Sequence, residues 1–133
     1  SQTYGILQRE DTLKEIVKLL GPEALPDEEK LILEVARMVK IGILQQNSFD
    51  DVDTYCSPEK QFKLMKLQVD FYNKGQQALK DGASLADIRS MNVISLLLKA
   101  RMDVKDDEMP KLDKIETDMI EQFNSVTGVK VQN

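Results

Sequence analysis

Between Leu31 and Leu44 the chain is apolar on almost every side: Leu31, Ile32, Leu33, Val35, Ala36, Met38, Val39, Ile41, Ile43 and Leu44. Apart from Gly42, only Glu34, Arg37 and Lys40 interrupt it, and at helical spacing these three share one stripe. A helix of that kind needs neighbours around most of its circumference, so it predicts a central, buried helix with other helices packed on it. The run is entered through Leu25-Pro26-Asp27-Glu28-Glu29. Proline suits the first helical turn, and carboxylates there complement the positive helix end.

The rest of the chain supplies the surrounding helices. Ile6, Leu13, Ile16, Val17 and Leu20 recur at steps that place them on one helix face, predicting a first helix over Thr3 to Leu20. Gly21-Pro22 stops it. Ser57-Pro58 reads as cap and first residue of a third helix that carries Phe62, Met65, Val69 and Tyr72 on one face, with Leu64, Leu67 and Phe71 beside it. That helix is expected to end at Asp81-Gly82. Ser84 to Asp87 opens a short fourth helix, and a fifth spans about Val93 to Val104. Leu112, Ile115, Met119, Phe123 and Val126 mark a last amphipathic helix over about Glu108 to Val126. No alternating strand pattern stands out, which predicts an all-α bundle of five or six helices. Residues 45–57 lack periodicity and read as an ordered loop.

Composition narrows the chemistry. The 133 residues include no histidine, which removes Ser-His and Cys-His catalysis and histidine metal sites. The lone Cys56 allows no internal disulfide and reads as an inert thiol, in keeping with a reducing compartment. Six glycines at positions 5, 21, 42, 75, 82 and 128 build no phosphate loop. Asp50, Asp51 and Asp53 lack the spacing of a calcium loop and read as turn and capping carboxylates. No catalytic residue and no metal ligand is therefore assigned. A net charge of −5 argues against nucleic acid as partner. No apolar run approaches a membrane span, so no direct membrane insertion is expected.

Charge is uneven: residues 103–121 hold eight acids and three bases, a balance of −5. The expected organisation is a helical bundle over 1–106, with an acidic amphipathic helix and tail over 107–133, in the same domain or loosely attached. Two places are odd for a plain bundle. The acidic turn Glu23, Ala24, Leu25, Pro26, Asp27, Glu28, Glu29 is either a helix start tuned to its dipole or a docking tip. Phe49, a large aromatic in a polar loop, either anchors the loop in the core or offers a flat face to a ligand or partner.

The stretch Leu44-Gln45-Gln46-Asn47-Ser48-Phe49-Asp50-Asp51-Val52-Asp53-Thr54-Tyr55-Cys56 strongly resembles the C-terminal region of the catalytic polypeptide of archaeal-type and vacuolar-type rotary ATPases. Ile6-Leu7-Gln8-Arg9-Glu10, Glu15-Ile16-Val17, Leu20-Gly21, Leu33-Glu34-Val35-Ala36-Arg37, Pro58-Glu59-Lys60-Gln61 and Phe71-Tyr72 extend the resemblance. It is dense over about residues 4–80 and loose beyond, and it favours the archaeal type, an ATP synthase. It implies that the chain is the C-terminal helical domain alone, an excised piece lacking the phosphate loop, and hence without ATP turnover by itself.

The resemblance further implies roles at matched positions. Phe49 matches an aromatic on the adenine side of the nucleotide pocket, and Ser48 replaces a usual small Ala beside it. Glu23 to Glu29, with Ala36-Arg37 following, matches the rotor-facing turn that presses on a central shaft. No cofactor is implied within this piece; ATP or ADP with Mg belongs to the intact catalytic polypeptide. The implied partners are the central stalk subunits and the non-catalytic B subunit. The implied location is cytoplasmic, peripheral on the membrane in the ATPase head. A stand-alone helical adaptor, binding a partner groove through the acidic last helix, remains the alternative.

Overall fold

The computed structural model of the chain describes residues 2–44 and 56–132, with side chains through Thr127. Among these residues there are six α-helices and no strand: α1 (Gln2–Leu20), α2 (Asp27–Val39), α3 (Pro58–Lys80), α4 (Leu85–Arg89), α5 (Asn92–Asp103) and α6 (Pro110–Gln132). Short 3-10 turns cover Pro22–Ala24 and Asp106–Glu108, and a π-helical turn over Lys40–Leu44 continues α2.

Most ends follow from local chemistry. Gly21 takes φ +87°, a conformation open to glycine, and its amide donates to Val17 O, which closes α1. Ser57 Oγ accepts from Lys60 N at 3.2 Å and Ser84 Oγ from Asp87 N at 3.0 Å, so both serines cap as expected. Pro110 opens α6 where the missing amide costs nothing. Just before it, Glu108 accepts from the Lys105 amide and pairs with Lys111; the Lys111 contact and then the backbone bond hold its carboxyl below the ordinary range.

The central position of α2 is borne out. Leu31, Val35, Ala36, Met38 and Val39 are buried, and α2 packs on α1, α3 and α5. The helices α3 and α6 run in the same direction, because Lys63 meets Asp113 at 2.8 Å and, further along both, Phe71 meets Phe123 edge-on at 5.2 Å. Leu112, Ile115, Met119 and Phe123 of α6 enter the same core as α2 and α3. Gln122 Oε1 accepts from Val93 N at 2.9 Å, so α6 also satisfies an amide of the first turn of α5.

Three faces differ from expectation. Leu20 is 72% exposed, so the apolar stripe of α1 ends at the half-buried Ile16 and Val17. On α3 the buried stripe is Leu64, Leu67, Gln68, Phe71, Gly75 and Ala78. Met65, Val69 and Tyr72 lie on its flank, and Phe62 is exposed, because α2 and α6 cover the neighbouring face. The helix expected to run unbroken to Leu44 changes to π geometry at Lys40, which turns Ile41 and Leu44 outward while Gly42 and Ile43 stay buried. Lys40, on the stripe with Glu34 and Arg37, bridges to the buried Glu10 of α1, which Lys14 also approaches at 3.7 Å. The Glu10 contact holds Lys40 above the ordinary lysine range. That tie is complete below the ordinary lysine pKa and is lost as pH rises through the raised value.

Gly42 explains how close α5 comes to the π turn. A Cβ there would lie 3.0 Å from Leu97 O and 3.1 Å from Gln68 Nε2, and a backbone oxygen cannot rotate away. At Gly5 nothing lies within 4 Å. Gly42→Ala is therefore expected to destabilise by about 1 kcal/mol net, overpacking outweighing helix propensity. Gly5→Ala is expected to stabilise by about 0.5–1 kcal/mol from propensity alone. Urea midpoints of the two variants should move in opposite directions; equal shifts would contradict the close approach of α5.

Candidate functional site

The acidic turn forms the tip where α1 meets α2. Leu25 is its anchor: 5% exposed, it belongs to the hydrophobic core while its amide donates to Pro22 O at 3.3 Å. Pro26 O then accepts from the Glu29 and Lys30 amides, starting α2. Glu23, Ala24, Pro26, Asp27 and Glu28 are exposed and Glu29 is half-buried. Lys30 Nζ reaches Glu23 Oε2 at 3.0 Å and closes the turn on itself. The tip is thus a short, proline-stiffened projection, seated in the core through one leucine.

Beside it lie two residues that the periodicity did not single out as exposed, Leu19 at 83% and Leu20 at 72%. The available signal was their position. Both fall in the last turn before Gly21, and Leu19 stands off the Ile6–Leu13–Val17 line. Two adjacent open leucines next to an acidic turn make a mixed apolar and anionic surface suited to a protein partner.

Ser48 and Phe49 lie outside the described residues, as do Asp50, Asp51 and Asp53. The structure does describe both flanks of that segment. On one side, Gln68 Nε2 donates to Met38 O at 3.5 Å and Arg101 Nη1 donates to Ile43 O at 2.8 Å. On the other, the Ser57 amide faces Asp106 Oδ1 at 3.5 Å, and Lys60 Nζ donates to Arg101 O at 2.8 Å. The two flanks therefore meet at the C-terminal end of α5. Gln68 and Lys60 are 1% and 2% exposed. Sequence reasoning passed over them, although a lysine and a glutamine on the line through Leu64 and Phe71 mark polar groups on a buried face.

Tip and flanks stand at the two ends of α2, whose 13 residues span roughly 20 Å at 1.5 Å per residue. The Glu10–Lys40 bridge ties α1 to the far end of that span. Among the described residues no group of three acidic or thiol side chains is placed to hold a metal ion. No helix of the described residues is long and apolar enough to cross a membrane. Cys56 is a half-buried free thiol. An open cleft of about 250 Å³ is lined by Gln2, Gly5, Ile6, Arg9, Ile32 and Tyr72; burial raises the Tyr72 phenol above its ordinary value.

Comparison with known proteins bears on which of these features matters. The chain is 42% identical over 128 residues to the A subunit of the A-type ATP synthase of Ignicoccus hospitalis, covering 95% of this chain and 22% of that protein. It is 40% identical over 132 residues to the corresponding A-type ATP synthase polypeptide of Hyperthermus butylicus, covering 98% of this chain and 22% of that protein. It is 36% identical over 119 residues to the V-type ATP synthase alpha chain of Halothermothrix orenii, covering 90% of this chain and 20% of that protein. The chain thus spans about a fifth of the length of the curated relatives it matches. The family model described as the C-terminal domain of V and A type ATP synthase matches residues 1–89, from α1 through α4, and the chain belongs to that family.

Proposed function

We propose that this bundle works inside a rotary ATP synthase or ATPase, where it completes the adenine side of a nucleotide pocket and passes nucleotide-driven closure to a central shaft. The observation that carries the reading is alignment along nearly the whole chain with proteins named as the A subunit of A-type ATP synthases. Phe49 supplies a flat apolar plate for the adenine ring, and Ser48 keeps the volume beside it small. Nucleotide itself, ATP or ADP with Mg, is held by parts of the catalytic polypeptide that carry a phosphate loop. The partners are the central stalk and the non-catalytic B subunit. The complex sits on the cytoplasmic side of a membrane.

The tip at the α1–α2 junction is the contact with the shaft. Leu19 and Leu20 provide its apolar part, and Glu23 through Glu29 shape it. A packed interior supports this use: α2 has neighbours on most sides, and the Glu10–Lys40 bridge braces it against α1. Close-packed interiors transmit displacement rather than absorb it.

Phe49→Ala in the assembled enzyme tests the nucleotide half of the reading. Nucleotide binding is expected to weaken by about 1–3 kcal/mol, the usual cost of losing one base–aromatic stack. Equilibrium binding of ATP to the assembled enzyme gives the number. Unchanged affinity would remove Phe49 from the pocket.

A further inference from the structure

The helices α3 and α6 pack side by side in the same direction, and the seam between them is open at two places. The first opening, about 310 Å³, is lined by Glu59, Phe62 and Lys63 of α3, by Met109 just before α6, and by Asp113. The second, about 260 Å³, is lined by Asp70 and Lys74 of α3 and by Glu116, Met119 and Ile120 of α6. Steps of three, four and seven place Glu59, Lys63, Asp70 and Lys74 on one stripe of α3, and Asp113, Glu116 and Ile120 on one stripe of α6. Both openings therefore lie on the same face of the seam, about 10 Å apart along the helices. Phe62, 70% exposed, stands at the first, and Ile120, 40% exposed, at the second. Single exposed apolar residues are ordinary, but here each borders a recess, and the recesses are a heptad apart. Two parallel helices with recesses at that spacing form the receiving side of knobs-into-holes packing, with a third helix wanting.

We propose that the α3–α6 seam is a docking groove for an amphipathic helix of another polypeptide, one that carries two apolar side chains a heptad apart and a basic flank. The apolar pair fills the two openings, against Phe62 and Met109 in one and Met119 and Ile120 in the other. Charge decides the flank. Each opening is lined by two carboxylates and one ammonium. In the first, Lys63 is engaged by Asp113 at 2.8 Å, which leaves Glu59. In the second, Asp70 and Glu116 form no ion pair among the described residues. On α6, Lys111 and Lys114 are held by Glu108 and Asp118, so the charged groups that α6 turns to the seam are acidic only. The α3 wall is mixed, with Lys63 and Lys74 beside Glu59 and Asp70. The basic flank of the partner therefore lies along α6. A second copy of this chain, with its net charge of −5, is a poor occupant for an acidic groove.

The probe is a fluorescently labelled synthetic peptide of about 18 residues, long enough to hold a helix, with leucines a heptad apart and lysines along one flank. Anisotropy titration with this chain is expected to saturate in the micromolar range. Phe62→Ser and Ile120→Ser should each weaken binding about tenfold. Neither should disturb the bundle, since both side chains are exposed. Glu116→Gln should weaken binding about twofold and flatten its salt dependence. A peptide with the same leucines and glutamates in place of the lysines should bind at least about tenfold more weakly. Amide shifts on adding the lysine peptide should centre on the two stripes of α3 and α6. Failure to saturate, equal binding of the glutamate peptide, or indifference to both serine variants would overturn the proposal. So would shifts centred on Leu19 and Leu20. Binding to this chain but not to the whole catalytic polypeptide would assign the seam to another part of that polypeptide. Self-association of the chain that is lost in Phe62→Ser would assign it to a second copy. Either result also overturns the proposal.

Discussion

Phe71→Ala is expected to be among the most destabilising single substitutions in this chain, at about 3–5 kcal/mol, the range for truncating a buried aromatic. Phe71 is fully buried where α2, α3 and α6 converge. Its ring meets Phe123 at a centroid distance of 5.2 Å and an interplanar angle of 62°, an edge-on pairing in which a positive ring edge faces a negative ring face. On the same helix, Gly75 lets Leu31 of α2 come so close that an added Cβ would lie 2.9 Å from Leu31 Cδ2. Such a tightly held junction has little freedom to collapse into a cavity, which places the expected loss in the upper part of the range. Phe123→Ala should cost nearly as much, and a double-mutant cycle should return a coupling of about 0.5–1.5 kcal/mol for the ring pair. Urea unfolding with a common m value is the measurement. A loss below about 1 kcal/mol for Phe71→Ala would mean that α6 does not close the core as described, since the transfer term for a buried phenyl ring alone exceeds that.

The second large effect concerns the tip in the assembled enzyme. If the tip meets the shaft as proposed, Leu19→Ala combined with Leu20→Ala should sharply reduce stall torque of single complexes, because the tip then loses its exposed apolar side chains. The same pair should leave the stability of the bundle within about 0.5 kcal/mol, since neither side chain is buried in it. Replacing Glu23, Asp27, Glu28 and Glu29 together by Gln should retain most of the torque, because exposed ion pairs such as Glu23–Lys30 contribute only about 0–1 kcal/mol. Deleting the turn outright is a poorer test, as it also removes Leu25 from the core. Loss of torque in the Gln variant with retention in the leucine variant would reverse this account and make electrostatics the coupling.

Much of the architecture was legible residue by residue. Ser57, Ser84 and Gly21 mark helix ends through interactions with atoms a few residues away, so their effect does not depend on what packs against them. The apolar circumference of α2 requires neighbours wherever they come from, and it has them on α1, α3 and α5. The step of 112, 115, 119 and 123 likewise named the buried face of α6 correctly. The acidic turn was legible as a helix junction for the same local reason, a Gly-Pro stop followed by carboxylates at a helix start.

Other features were decided only when distant segments met. Leu20 and Phe62 sit at helical spacing with buried residues, yet among the described residues no neighbouring helix covers them, and periodicity says nothing of where a covering helix ends. Lys60 and Gln68 read as ordinary polar residues until α5 and the end of α2 bring carbonyls to their tips. The π turn is the clearest case. Residues 40–44 are as helical in pattern as those before them, and the geometry that appears there goes with the Leu97 carbonyl lying against Gly42 and with Arg101 reaching Ile43. Which segments are helices, and where most of them stop, depends on bonds within a turn or two, so both could be read along the chain. Which faces are open, and which carbonyls need a partner from elsewhere, depends on contacts between residues as far apart as Ile43 and Arg101, and these emerged only from the packing of the helices.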